Sequence, residues 1–177
     1  DLTGIADNGG SWPPDGGHGA GRKWPILFAG LLLNDEHMKN VGNWDTMFQE
    51  DAQTFYIDQA AVDITNSPKW NPDKRSAVTP YSVEDIGIAE WGIRHATAPA
   101  RDHKHWKAYY RDINNCVIPG FALLARIMGQ KEAWNHNALF DYADRVMKKD
   151  KGQREGIPTN SFSKFGVSMW EAYREQF

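Results

Sequence analysis

Apolar positions cluster in a few blocks along this chain. Trp24 to Leu33 reads WPILFAGLLL and Val117 to Met128 reads VIPGFALLARIM, two runs apolar on nearly every side. Both carry a proline near the start, where a missing N–H costs a helix nothing, and both end on residues that stop helices, Asn34-Asp35 and Gly129. The pattern predicts buried helices over about 22–33 and 117–128, the most buried of the fold. Lys131 to Lys148 is instead amphipathic, with Trp134, Ala138, Leu139, Tyr142, Ala143, Val146 and Met147 on one face. A last helix is predicted from Ser163 or Lys164 through Val167, Met169, Trp170 and Tyr173.

Between these blocks the signal weakens. A short helix is expected over 35–41, a helical turn near 44–50 and an extended piece at 54–57. Residues 61–103 are punctuated by Pro68, Pro72, Pro80 and Pro99 and read as one long irregular loop, with a short helix or turn between Glu84 and Arg94. Trp106, Tyr109, Tyr110 and Ile113 then recur at helical spacing before Asn114-Asn115. No stretch shows the alternation of a strand. The expected class is mainly α, a single helical domain over 1–177, with helical hairpins and a long irregular loop.

The two apolar runs also echo each other. WPILFAGLLLND followed by EHM parallels IPGFALLARIMGQ followed by KEAW, 94 residues apart at the prolines, from Pro25 to Pro119. An apolar helix backed by a more polar partner is the unit of helical-hairpin arrays.

Composition narrows the function classes. At 177 residues, 41% hydrophobic, the chain can bury a core, and no run approaches the roughly 18 apolar residues of a membrane span. A net charge of -3 argues against nucleic acid as the partner. One cysteine, Cys116, excludes an internal disulfide and a Cys-rich zinc site. Charge is uneven, however. Arg94, Arg101, Lys104 and Lys107 face one acid, Asp102, a local excess of three positive charges with His95, His103 and His105 alongside. That suits an anionic ligand. Eight tryptophans, among them Trp12, Trp24 and Trp91, supply flat rings suited to sugar faces as well as to a core.

The stretch with most chemical promise is Gly16 to Trp24, GGHGAGRKW, where glycines hold His18 in a tight turn ahead of a helix. Unpaired N–H groups at that helix start, with Arg22 and Lys23, would attract an anion. EWGIRH offers Glu90, Trp91, Arg94 and His95 in the same way. Abstraction of a proton beside a carboxylate needs a base, a donor for the leaving oxygen and cations or amides for the enolate. His18 or His95 fits the base, Tyr109 or Tyr110 the acid, and Arg22, Arg94 and Asn114 the clamp. Lys23, Trp24, Glu90 and Trp91 complete the substrate-binding set.

Two other chemistries have candidates. A hydrolase would draw a carboxylate pair from Asp15, Asp45, Asp58, Glu90 and Asp112, whose spacing selects none. A metal site would use Asp102-His103-x-His105, His18 with Asp15, or His136; His residues two apart share no helix face, and His136 reads better as a satisfied first-turn residue. No metal and no cofactor is expected.

GGHGAGRKWPILFAGLLL, EWGIRH and IMGQKEAWNHNALFDYADRVM resemble the C-terminal part of α/α-toroid proteins of bacterial polysaccharide degradation, chiefly over 15–40 and 88–175. The resemblance implies part of an α/α toroid, secreted or periplasmic. It implies an acidic oligo- or polysaccharide as partner, uronic-acid polymers cut by β-elimination, and Tyr and His moving protons while Asn, Arg or His meets the carboxylate. Five to seven helices are too few to close a toroid, so a partner chain or a preceding region would complete the arc. The competing reading is a helical sugar-binding or scaffold domain with no catalysis.

Overall fold

The computed structural model describes residues 1–14, 18–68, 80–92, 116–148 and 164–177. Their secondary structure is mainly helical. In chain order they form α1 (Leu2–Asp7), α2 (Lys23–Leu33), α3 (Glu36–Lys39), α4 (Gln49–Ala52), β1 (Thr54–Tyr56), α5 (Gln59–Thr65), β2 (Ala89–Trp91), α6 (Ile118–Ile127), α7 (Lys131–Trp134), α8 (Asn137–Met147) and α9 (Lys164–Tyr173). Short 3-10 turns occupy Val41–Asn43, Val83–Asp85 and Arg174–Gln176.

Local chemistry sets the ends. α2 stops where Asn34 turns left-handed at φ 54°, and α6 is followed by Gly129 at φ 66°. Asp35 caps α3 by accepting the Met38 N–H at 2.9 Å, and Asp58 caps α5 by accepting that of Ala61 at 2.8 Å. The echo survives as element order: α2 then α3, and α6 then α7, each a longer helix followed across a sharp stop by a single turn. The two copies meet where Trp24 of α2 stacks on Trp134 of α7 at 6.4 Å, and the turn after α3 presses on α7, where a Cβ on Gly42 would lie 2.2 Å from the Ala133 carbonyl oxygen. Asn135 donates across the same seam to the Gly42 carbonyl at 3.2 Å.

Three expectations need correction. Lys131 to Lys148 is two helices, since Asn135 adopts the left-handed conformation at φ 56° and His136 follows at ψ 83°, outside the helical region. The stretch 61–103 is not uniformly irregular, for it holds most of α5, a capped 3-10 turn at Val83–Asp85 and β2. Strands exist as well. β1 and β2 pair antiparallel with Thr54 opposite Trp91, Phe55 opposite Glu90 and Tyr56 opposite Ala89. Three-residue strands are too short to show alternation, and β2 is buried on both faces.

The main core gathers Ile26, Leu27, Val41, Phe48 and Trp91 with the inner faces of α6 and α8 and Trp170 of α9. A smaller cluster, Phe55, Ile57, Ala61, Val62 and Tyr81, lies beneath α5. The most buried helix is α8, with seven of its eleven residues inside, including every α8 residue of the expected face. α2 buries only four of eleven, and Leu32 and Leu33 are about 70% exposed. Among the described residues no helix is long and apolar enough to cross a membrane.

Candidate functional site

The start of α2 is built by α4. Arg22, the residue before the helix, offers no side-chain cap; the fully buried Glu50 supplies it from across the fold. One Glu50 oxygen accepts the N–H groups of Arg22 at 3.0 Å and Lys23 at 2.9 Å, and the other accepts that of Gly21 at 3.1 Å. Burial pushes the Glu50 carboxyl above its usual range, and the N–H bonds recover part of that shift. The expectation that this helix terminus awaits a ligand anion is thereby corrected: its N–H groups already face a carboxyl of the same chain.

Lys23 is corrected with it. Its side chain lies inside, ion-paired to Asp51, with its ammonium 5.6 Å from the Phe48 ring and 5.4 Å from that of Trp134. Asp51 also accepts the Trp134 indole N–H at 2.7 Å. The lysine charge is thus spent within the core. Trp24 is half-buried and stacked between Phe28 and Trp134 at 5.8 and 6.4 Å. Glu90 and Trp91 are also interior. Glu90 accepts the Trp91 N–H at 2.9 Å and faces Arg145 at 3.4 Å, so neither residue lines a surface cleft.

His18 and Arg22 remain at the surface side of the loop. His18 is exposed, and its imidazole makes no hydrogen bond among the described residues. The Arg22 guanidinium donates to the Ala20 carbonyl at 3.3 Å and has no acidic partner among the described residues. Beside them stands Trp12, stacked on Phe48 at 5.4 Å and only partly buried. A Cβ on Gly19 would lie 3.4 Å from the Trp12 Cβ. The turn thus carries an exposed imidazole with no hydrogen bond among the described residues and a half-buried guanidinium, and Trp12 adjoins it at Gly19.

The same loop is connected to the strand end that precedes Arg94 and His95. Gly19 N–H donates to the Gln49 side-chain oxygen at 2.6 Å, the Gln49 amide donates to that of Gln53 at 3.1 Å, and the Gln53 carbonyl accepts the Gly92 N–H at 2.9 Å. Residues 49–53 are thus a shared wall between the His18 turn and the end of β2. From the other side Phe121 of α6 packs on Gly21, where a Cβ would come within 2.9 Å of its Cζ. His95, Arg94, Tyr109, Tyr110 and Asn114 lie outside the described residues.

Sequence reasoning missed Gln49, Glu50 and Gln53 altogether. QEDAQ looks like a solvated helix face, and nothing in its spacing marks the polar groups as buried. Trp12 had a signal, its place just ahead of the glycine turn.

The other chemistries find less support among the described residues. Asp58 is engaged as a helix cap and Glu90 is internal, while Asp15 and Asp112 are not described. His136 donates to the Thr54 carbonyl at 2.8 Å and is satisfied as its sequence context suggested, though it stands just before α8 rather than in its first turn. No group of three His, Cys, Asp or Glu residues suited to a metal occurs among the described residues. The chain matches no family model, no curated protein and no solved structure.

Proposed function

We propose that this chain is a carbohydrate-active protein that binds an acidic, uronic-acid polysaccharide at the His18 loop and cleaves it by β-elimination. The observation that carries the reading is an exposed His18 whose imidazole makes no hydrogen bond among the described residues, on a turn that also carries the Arg22 guanidinium and adjoins the partly buried Trp12 at Gly19. His18 takes the proton on the carbon beside the sugar carboxylate. The electron pair forms the new double bond as the adjacent carbon–oxygen bond breaks, and Arg22 pairs with the carboxylate as it gains enolate character. Trp12 supports the sugar face. Tyr109 or Tyr110 would return a proton to the leaving oxygen, with His95 as the alternative base and Arg94 and Asn114 on the carboxylate. The toroid reading adds an arc of hairpins completed by a partner chain or further region, in a secreted or periplasmic setting.

The test is ultraviolet absorbance of the unsaturated product on a panel of polyuronates, beside binding of acidic and neutral oligosaccharides. His18→Ala is expected to slow turnover roughly 100-fold or more with binding largely kept. Arg22→Ala should weaken the acidic ligand by about 10-fold or more, the scale of a charge-assisted hydrogen bond, and leave the neutral one unchanged. Equal loss for both ligands removes the carboxylate role. Binding of the acidic ligand with no product makes the chain a sugar-binding domain, and no binding at all overturns the reading.

A further inference from the structure

We propose that Gln49 and Glu50 are positioning residues, which fix the His18 turn as a template fixes a cast; the inference rests on that turn being the site proposed above. Of the five backbone N–H groups that follow His18, those of Gly19, Gly21, Arg22 and Lys23 are received by these two neighbouring side chains. A surface turn ordinarily gives such groups to water. Here they go to an amide and a carboxyl that are themselves completely buried. Neither side chain can touch a ligand on the outer surface, so their action reaches it only through the backbone.

Two glycines match this clamp. A Cβ at Gly19 would sit 2.5 Å from the Gln49 side-chain oxygen, and Gly21 at φ +83° would press on Phe121. At Gly21 the left-handed backbone favours glycine, and at Gly19 a side chain would have to push the Gln49 oxygen aside. Through Gln53 the template also holds Gly92, so one polar stretch sets the distance between the His18 turn and the end of β2. Displacement of a reacting group by about 1 Å is enough to cost two orders of magnitude in rate.

Glu50→Gln separates positioning from bulk. The new amide can accept at one end, but its NH2 cannot accept, so either the Gly21 N–H or the Arg22 and Lys23 pair loses its partner. Gly19→Ala disturbs the Gln49 half of the clamp from outside, where its Cβ would meet the Gln49 side-chain oxygen, and adds no buried charge. Gly120→Ala is the control, since nothing lies within 4 Å of its Cβ. The first readout needs no ligand: the His18 ring resonance in a proton–carbon correlation spectrum, assigned by its loss in His18→Gln. It should move in Glu50→Gln and Gly19→Ala and stay in Gly120→Ala. The second is kinetics on polygalacturonate, where kcat should fall by about 10- to 100-fold with KM within about 3-fold. An unchanged His18 resonance in both folded variants overturns the positioning role whatever the substrate. Absence of product from the unaltered protein, with the resonance shifted as expected, sinks the uronate chemistry and keeps the clamp. Should Glu50→Gln fail to fold, Gly19→Ala decides alone.

Discussion

Two carboxyl groups hold this molecule together in opposite ways. Glu50, at the start of α2, is buried and receives backbone N–H groups. Asp144, on α8, is about three-quarters buried and gripped by two guanidiniums. Arg126 of α6 donates to its two oxygens at 2.8 and 2.9 Å, and Arg174 donates at 2.5 and 2.7 Å. Burial raises both carboxyls, but only the second has full positive charges to reverse it. Hydrogen bonds from Arg174 and Arg126, with their charge, hold Asp144 below its ordinary range, while Glu50 stays above its own. Amide dipoles can shape a loop around a carboxyl without matching the solvation it lost. The Arg126–Asp144–Arg174 cluster acts as a rivet joining α6, α8 and the C-terminal turn; the Glu50 clamp trades stability for a defined backbone.

The sharpest way to break the contrast is Glu50→Ala. It strands three N–H groups, one fully buried, and should cost roughly 3–5 kcal/mol in urea unfolding. Asp144→Asn should cost less, about 2–3 kcal/mol. It leaves the nearly buried Arg126 uncompensated, but Asp144 is a quarter exposed and water relieves part of the loss.

Changing pH exposes the difference in sign. Glu50 when unfolded loses its proton near 4.5, and when folded it keeps the proton to higher pH. Its contribution is complete below that value and is lost as pH rises through the folded one. Asp144 behaves inversely: its contribution is complete above 3.8 and is lost as pH falls through the lowered folded value. Unfolding midpoints against pH should therefore show Glu50→Gln without the decline that begins above pH 4.5, and Asp144→Asn with a shallower acid limb.

Tyr56 and Asp141 give the smallest effect. They form a hydrogen bond between β1 and α8 at the surface, and burial together with that bond pushes the Tyr56 hydroxyl up to about 12. Tyr56→Phe should change stability by only about 0.5 kcal/mol, because water replaces an exposed partner easily. The tyrosine absorbance titration should lose a step near 12.

The longer helices were legible, whereas α1, in a Gly- and Asp-rich stretch, and α5 were not. Pro25 and Pro119, Asn34 and Gly129 mark starts and stops through backbone geometry, and the α8 face is written in its spacing. Of the short strands, β1 matches the extended piece expected at 54–57, but β2 was not legible, because three residues cannot display a period. Nor was the fate of Lys23, whose exposed-looking place after Arg22 gives no sign of Asp51 across 28 residues.

For the candidate site the division is sharper. Sequence alone determined that His18 lies in a glycine turn before an apolar helix, since glycine and proline act on the bonds next to them. Tertiary structure decided which polar groups remain available at that turn. Hydrogen bonds form between whatever groups packing brings within 3 Å or so. Packing brought Glu50 to the helix start and Asp51 to Lys23, which leaves His18 exposed at the turn and Arg22 and Trp12 partly so.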